Sequence, residues 1–288
     1  MQPVAFDYHR PASLAEAIEL LAGHDEARPL AGGHSLLPAM KLRLAAPAAL
    51  VDVSRIPGLT GIEREGGVLR IGAMTVYAEI AASPEVRRGC PVLAEAVALI
   101  GDRQVRNRGT IGGSVAHADP AADLPTVLVA LDATVEIVGV EGERSVPARE
   151  FFQGIFATAL GPAELVTAVR VPATPAGTGA AYEKHPHPAS RYAVVGVAAV
   201  LSLDSGACSG VELVVGGVTG MPARVPGAAE ALEGAALSPE AIAAAAASVP
   251  AALPEPMGDL YASGEYRVHL ATVLARRALE RAAERAEG

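Results

Sequence analysis

Ala31-Gly32-Gly33-His34-Ser35 and Thr110-Ile111-Gly112-Gly113-Ser114 are two glycine pairs, each closed by a serine. Glycine has no Cβ, so the chain can turn sharply there and bring its backbone close to an oxyanion. One such turn binds a phosphate weakly, whereas two turns distant in sequence can hold a pyrophosphate from both sides. These two stretches, called here the first and the second glycine segment, therefore indicate a dinucleotide cofactor.

The first glycine segment follows a predicted strand, Arg28–Ala31, and precedes a predicted helix, Leu36–Leu44. This order places the backbone N–H groups of residues 32–35 at a helix N-terminus, where partial positive charge favours an anion. Ser35 can also donate its hydroxyl to a phosphate oxygen. An ordinary glycine turn before a helix explains the same residues, and for this segment taken alone it is the simpler interpretation.

The second glycine segment is predicted to lie in a longer loop, with Arg103, Arg106 and Arg108 just upstream. These arginines could neutralise phosphate or hold a partner, although such residues more often form a solvated face. Downstream, Asp123 precedes a predicted helix, Pro125–Leu131. Asp123 either caps that helix or accepts hydrogen bonds from cofactor hydroxyls, and its spacing does not decide between the two.

Several common motifs are excluded. Neither segment ends in Gly-Lys-Ser/Thr, as a Walker A motif would, and neither forms Gly-x-Gly-x-x-Gly after a strand, so a Rossmann nicotinamide site is not indicated. No metal site is expected, because no cysteine joins the histidines at zinc-like spacing. No serine is paired with an obvious histidine and aspartate, so hydrolysis has no support.

Composition restricts the number of domains, the cellular compartment and the classes of partner. The 288 residues suffice for two modest domains or one large one, and a net charge of −9 argues against nucleic acid. No apolar run approaches the roughly 18 residues that span a bilayer, and the N-terminus does not resemble a signal peptide. Cys90 and Cys208 are the only cysteines, which fits a reducing cytoplasm and excludes both a disulfide framework and a four-thiolate iron–sulfur cluster within this chain.

Hydrophobic periodicity predicts an α+β protein rather than a strict alternation of strand and helix. Ser13-Leu14-Ala15-Glu16 resembles a capping box, and the helix that it begins ends at Gly23. The strand Ala49–Val53 completes a βαβ-like opening, and a hairpin follows over residues 61–72. The remaining predicted elements before residue 172 are helices near Val76–Ala82, Pro91–Ile100 and Pro125–Leu131 and strands at Thr134–Val140 and Glu164–Val171.

Pro172–Gly179 is the best candidate for a domain boundary, because it is rich in proline, glycine and threonine. Three antiparallel strands are predicted beyond it, followed by three helices. The strands are Ala180–Lys184, Val194–Leu203 and Gly210–Gly216, and the helices lie near Gly227–Leu232, Pro239–Ala247 and Glu265–Ala286.

Three ordered blocks carry a family resemblance: Arg28–Pro38, Thr110–Ser114 and Asp119–Pro125. Together they resemble the FAD-binding medium subunit of molybdenum hydroxylases, most closely that of aerobic carbon monoxide dehydrogenases. The flavin domain of xanthine dehydrogenase is a more distant relative. The likeness covers nearly the full chain, and several blocks in order are far more specific than either glycine pair alone.

The resemblance implies an α+β fold with a two-lobed FAD-binding domain of the p-cresol methylhydroxylase and vanillyl-alcohol oxidase type (PCMH/VAO). This domain is expected over residues 1–176, with lobes of about 1–55 and 56–176. A C-terminal domain like that of carbon monoxide dehydrogenase flavoproteins, with a three-stranded antiparallel sheet plus helices, is expected over residues 177–288.

The resemblance also implies the site residues. Both glycine segments would bind the FAD pyrophosphate, and Asp123 would bind cofactor hydroxyls. The full set of expected cofactor-binding residues is Ala31, Gly32, Gly33, His34, Ser35, Thr110, Ile111, Gly112, Gly113, Ser114, Asp123, Leu165, Val166, Lys184 and Tyr192. Leu165 or Val166 would line the flavin pocket and Lys184 would lie near the flavin. Tyr192, the one candidate catalytic residue, would lie near the isoalloxazine ring.

The chain departs from the family pattern in three places. Ser114 stands where many relatives have asparagine, and Ser190-Arg191 replaces Gly-Asp before the aromatic residue. His185-Pro186-His187-Pro188 replaces a basic stretch. The last two departures fall in the segment expected at the outer face of the flavin.

The function implied is that of an electron-transfer subunit. Substrate would be oxidised at a molybdenum cofactor in a large subunit, and 2Fe–2S clusters in a small subunit would pass electrons to FAD in this chain. The FAD would reduce an external acceptor such as a quinone, NAD or oxygen. The complex is expected to be a dimer of heterotrimers in the cytoplasm or at the inner face of the membrane.

Two alternatives belong to other classes. A stand-alone FAD-dependent oxidase or dehydrogenase would turn over substrate by itself. A nucleotide-binding scaffold without a redox role would be colourless and would bind ADP as well as FAD.

Overall fold

The computed structural model describes residues 2–288 and builds them on three main sheets. The strands are β1 (Asp7–His9), β2 (Ala27–Leu30), β3 (Ala49–Asp52), β4 (Ile62–Glu65), β5 (Val68–Gly72), β6 (Thr134–Gly139), β7 (Gly142–Pro147), β8 (Phe152–Gly154), β9 (Ala157–Thr158), β10 (Leu165–Pro172), β11 (Thr178–Pro186), β12 (Ala193–Asp204), β13 (Ala207–Gly216) and β14 (Ala223–Arg224). The helices are α1 (Leu14–Gly23), α2 (Leu36–Lys41), α3 (Tyr77–Ala82), α4 (Pro84–Gly89), α5 (Pro91–Ala98), α6 (Arg103–Arg106), α7 (Ile111–His117), α8 (Asp123–Ala130), α9 (Ala148–Phe151), α10 (Pro226–Leu232), α11 (Pro239–Ala247) and α12 (Gly264–Glu287).

The N-terminal part is a small parallel sheet in the order β1-β3-β2. The predicted capping residue is confirmed, because the Ser13 side chain accepts a hydrogen bond from the Glu16 N–H at 3.2 Å. The predicted βαβ-like opening is also confirmed, since β2 and β3 are parallel and α2 connects them. The first glycine segment therefore leaves the carboxyl end of β2.

The second part is an antiparallel sheet in the order β4-β5-β10-β6-β7. The predicted hairpin is confirmed, with Glu65 opposite Val68 across its turn. Helices α3, α4, α5, α7 and α8 contribute to the core that covers this sheet, where Leu69, Leu93 and Leu128 are fully buried. This part ends with β10.

The second glycine segment is not a loop, and that prediction is wrong. Residues 111–117 form α7, and the Thr110 side chain caps it by accepting a hydrogen bond from the Gly113 N–H at 3.1 Å. Glycine has a low helix propensity, but the cap and the burial of Ile111 and Val115 outweigh that cost.

The C-terminal part is an antiparallel sheet in the order β11-β12-β13-β14, with α12 packed against it. The three predicted strands are confirmed, and the two-residue β14 adds a short fourth at the edge. A Cβ on Gly179 of β11 would lie 1.9 Å from the Ala282 carbonyl oxygen. Glycine there lets the backbone of α12 approach the strand closely.

Residues 173–177 connect β10 to β11, within the segment proposed as a boundary; the domain limits at residues 176 and 177 stay a prediction. Contacts between the two parts are extensive, since α8 packs on β12 and β13. An ion pair of 2.9 Å joins Arg285 of α12 to Glu95 of α5. Within residues 2–288, no helix combines the length and apolarity needed to span a bilayer.

We expect Gly179→Ala to lower the free energy of unfolding by about 1–3 kcal/mol, because the added methyl group collides with the α12 backbone. Gly67→Ala is the matched control, since a Cβ there would meet nothing within 4 Å. Urea unfolding followed by circular dichroism measures both changes. Equal stability of the two variants would contradict the packing described for β11 and α12.

Candidate functional site

The two glycine segments lie side by side. A Cβ on Gly32 would be 2.1 Å from the Arg108 carbonyl oxygen and 3.1 Å from the Gly109 Cα. A Cβ on Gly113 would be 3.5 Å from the Ala31 Cβ. Gly32 is therefore glycine because the backbone just before the second segment occupies the space of a side chain.

The first glycine segment offers unpaired backbone donors. In the described part of the chain, no hydrogen bond uses the N–H groups of the four residues 32–35. Gly33 has a φ of +74°, a conformation that glycine adopts without strain. Consecutive unpaired N–H groups form a concave site that suits an anion, and a diphosphate is such a group. The segment thus fits the cofactor that the sequence indicates.

The second glycine segment contributes differently. Gly112 donates its N–H to the Ala73 carbonyl oxygen at 2.8 Å, and Gly113 donates to the Thr110 hydroxyl at 3.1 Å. The N–H groups on either side of this pair are also bonded within the chain. Sequence reasoning expected bare N–H groups from both glycine pairs, whereas the N–H groups of residues 111–114 are all bonded within the chain. The second segment instead forms a close-packed wall.

Two tyrosines border the segments. Tyr77 donates its backbone N–H to the Gly109 carbonyl oxygen at 3.0 Å, and burial raises the pKa of Tyr77 to about 12. The Tyr192 side chain lies close to Ser35 and is 40% exposed. Burial and the Asp119 carboxylate raise the pKa of Tyr192. Tyr192 thus brings the turn after β11 onto the first segment, while Tyr77, missed by sequence reasoning, adjoins the second.

Asp123 lies in a buried polar cluster and is only 3% exposed. The Lys184 ammonium is 2.8 Å from its Oδ1, and the Tyr182 hydroxyl donates to the same oxygen at 2.7 Å. Burial raises the pKa of Asp123, and the Lys184 charge and the Tyr182 hydroxyl oppose that rise. The helix cap of α8 is Ala122, so the interpretation of Asp123 as a simple cap is wrong.

Leu165 and Val166 are both buried at the start of β10, where the strand has a bulge before Ala168. Leu165 packs in the same apolar cluster as Met74, and Ala31 of the first segment packs against that cluster. Val166 belongs to the core of the second part. Leu165 therefore packs in the apolar cluster beside the first glycine segment, whereas Val166 shares a core with Ile111 of the second segment and with Tyr182.

The remaining predicted residues have structural partners. His34 places its Nδ1 3.1 Å from the Gly32 carbonyl oxygen. Of the upstream arginines, Arg106 donates hydrogen bonds to the carbonyl oxygens of Ile100 and Gly101, at 2.9 and 3.2 Å.

Sequence reasoning also missed Tyr182. Its position two residues before Lys184 on a strand was the available signal, because such residues share a face.

The chain resembles known proteins over its whole length. Residues 4–174 match the family model described as the FAD binding domain in molybdopterin dehydrogenase, and residues 180–282 match the CO dehydrogenase flavoprotein C-terminal domain. The chain is 43% identical to the carbon monoxide dehydrogenase medium chain of Afipia carboxidovorans, covering 100% of both chains. It is 40% identical to the nicotine 6-hydroxylase medium subunit of Paenarthrobacter nicotinovorans, covering 99% of this chain and 100% of that one.

Solved structures also resemble this chain over its whole length. A chain of the Hydrogenophaga pseudoflava carbon monoxide dehydrogenase that lacks the Mo-pyranopterin moiety of its molybdenum cofactor superposes with a TM-score of 0.96. That chain is 44% identical, and the match covers 99% of both chains. Quinoline 2-oxidoreductase from Pseudomonas putida 86 superposes with a TM-score of 0.95 at 35% identity, covering 100% of both chains.

We expect Lys184→Met to lower the stability of the ligand-free chain by about 3–5 kcal/mol near pH 8, because Asp123 keeps a buried charge without its cation. The folded-state pKa of Asp123, already raised by burial, rises further in the variant. A raised carboxyl pKa gives stability that is present at low pH and lost as pH increases through that pKa. The deficit relative to the unaltered chain should therefore shrink on acidification.

Urea unfolding of the ligand-free chain at about pH 5 and pH 8 measures this deficit. Arg224→Met is the control, because it breaks a more exposed ion pair with Glu212 and should cost no more than about 1 kcal/mol. A Lys184→Met deficit that is small, or equal at the two pH values, would contradict the cluster as described.

Proposed function

Because this chain belongs to the family of FAD-binding medium subunits of molybdenum hydroxylases of the carbon monoxide and xanthine dehydrogenase type, we propose that it is the electron-transfer flavin subunit of such a complex. The observation that carries the proposal is the set of four unpaired backbone N–H groups in the first glycine segment. A diphosphate supplies the anionic oxygens that such donors require.

The proposed binding mode follows from this arrangement. Residues 31–35 bind the FAD diphosphate, with the N–H groups of residues 32–35 as donors. Residues 110–114 form the opposite wall with the hydroxyls of Thr110 and Ser114. Asp123 and Lys184 bind cofactor hydroxyls through the polar cluster. Leu165 and Val166 form the apolar floor, and Tyr192 lies beside the isoalloxazine ring.

FAD, when bound, supplies the redox chemistry by accepting electrons singly and releasing them singly or in pairs. The chain's own residues bind and orient the cofactor. The buried aromatic and aliphatic side chains around the segments exclude water. The proposed role requires no general acid or base from this chain, and Tyr192, partly exposed, is placed to control access to one face of the ring.

The partners proposed are a large subunit with the molybdenum cofactor and a small subunit with 2Fe–2S clusters. The two cysteines of this chain, Cys90 and Cys208, are both buried and fall short of the four thiolates that such a cluster usually takes. Relatives named as medium chains or medium subunits support an assembly with other subunits. We propose that the complex is a dimer of heterotrimers. It would lie in the cytoplasm or, as an assembled complex, at the inner face of the membrane.

The full chain, purified and mixed with FAD, tests this proposal. The expected product is yellow, accepts electrons from a chemically reduced 2Fe–2S ferredoxin, and oxidises neither carbon monoxide, aldehydes nor purines alone. Substrate turnover by the isolated chain would contradict the proposal and favour a stand-alone oxidase. A colourless protein that binds ADP as well as FAD would indicate a nucleotide-binding scaffold.

We expect Gly32→Ala to raise the Kd for FAD at least about tenfold, the factor that 1.4 kcal/mol produces. The added methyl group collides with the Arg108 carbonyl oxygen and separates the two segments. Quenching of FAD fluorescence on titration with protein gives the Kd, and circular dichroism reports the fold. Gly67→Ala, in open space, is the control, and equal Kd values for the two variants would refute the binding mode.

A further inference from the structure

We infer that Tyr182 is a positioning residue that fixes the orientation and charge of the Asp123 carboxylate for the cofactor. This inference rests on the flavin site proposed above and goes beyond it in one respect. It makes flavin binding in the N-terminal domain depend on a hydroxyl supplied by the C-terminal sheet.

The Tyr182 hydroxyl has one partner. Its side chain is buried, at 3% exposure, and the hydroxyl donates to the Asp123 Oδ1 at 2.7 Å. No second hydrogen bond of this hydroxyl occurs within residues 2–288. Lys184, two positions along β11, reaches the Oδ2 of the same carboxylate at 2.9 Å. Neighbouring side chains of one strand therefore hold both oxygens of Asp123.

Gly196 of β12 makes room for that hydroxyl. A Cβ at this position would lie 2.2 Å from the Tyr182 hydroxyl oxygen and 3.0 Å from the ring carbon that carries it. Glycine inside a strand costs stability, because it loses more conformational freedom than any other residue. The space at Gly196 is filled by the hydroxyl itself, so the phenol oxygen, and not only the ring, is accommodated by the fold.

The Tyr182 hydroxyl affects the ionisation of Asp123 because Lys184 alone does not offset the burial of that carboxylate. Lys184 and Tyr182 contact the carboxylate directly. Tyr77 and Tyr192 lie close enough for the Asp123 charge to raise the pKa of their hydroxyls. Lys184 offsets only part of the cost of burying a carboxylate, since burial still raises the pKa of Asp123. A donated hydrogen bond favours the ionised form, so the hydroxyl acts in the same direction as Lys184.

The cluster also joins the two domains. Asp123 is the first residue of α8, whereas Tyr182 and Lys184 belong to β11. A carboxylate that is oriented from the C-terminal sheet can accept cofactor hydroxyls only when that sheet is docked. The C-terminal domain thereby takes part in flavin binding through Tyr182 and Lys184 of β11.

Tyr182→Phe in the full chain tests this inference. It should raise the Kd for FAD about tenfold near pH 7, since losing a hydrogen bond to a buried charged group has about that effect. It should also move the acid limb of the Kd against pH profile to higher pH, because the Asp123 carboxyl loses a donor that lowers its pKa. Tyr266→Phe, which removes a hydroxyl from an exposed tyrosine of α12, should change neither quantity.

Gly196→Ala provides a second, independent variant. Its methyl group displaces the Tyr182 hydroxyl and should reproduce both changes, whereas adding it to Tyr182→Phe should have little further effect. Circular dichroism checks that each variant is folded, and if Tyr182→Phe is not folded, Gly196→Ala decides. A folded Tyr182→Phe, or in its place Gly196→Ala, with an unchanged Kd and pH profile overturns this inference alone. An unaltered chain that binds no FAD overturns the proposed function together with it.

Discussion

Contact between Gly32 and the Arg108 carbonyl oxygen brings the two glycine segments together, and the geometry of the candidate site depends on it. The small parallel sheet delivers the first segment from the end of β2, while α6 and α7 deliver the second. Because the second segment is bonded to Ala73 and capped by Thr110, the N–H groups of residues 111–114 are all paired and the segment behaves as a wall. The first segment keeps its N–H groups unpaired, so the two segments divide support and binding between them.

A second constraint comes from the burial of charge. Asp123 could not remain ionised in an apolar interior without Lys184 and Tyr182, and both residues lie on a strand of the other domain. The charge of Asp123 therefore favours the docking of the C-terminal sheet against α8, where Leu128 shares an apolar core with Val214 of that sheet. Tyr192, on the turn that follows the same strand, reaches Ser35 and extends this docking to the first glycine segment.

Much of the fold was predictable from local patterns. The Ser13 cap, the hairpin before Gly72 and the three long C-terminal strands are confirmed, because each depends on neighbouring residues or on period-two alternation. The family resemblance and the α+β fold class are confirmed by the family models and by the superpositions. Helix α7 was missed because Gly112-Gly113 favours a turn, and only the cap and the buried side chains around it reverse that preference.

The partners of Asp123 were not predictable from spacing. Lys184 follows Asp123 by 61 positions and Tyr182 by 59, so neither periodicity nor turn chemistry could pair them.

A crystal structure of the full chain with FAD would show what the two glycine segments bind. The diphosphate oxygens are expected between the segments, within about 3.2 Å of the backbone nitrogens of residues 32–35. A structure with FAD bound elsewhere, and with the N–H groups of the first segment directed to water, would contradict that expectation.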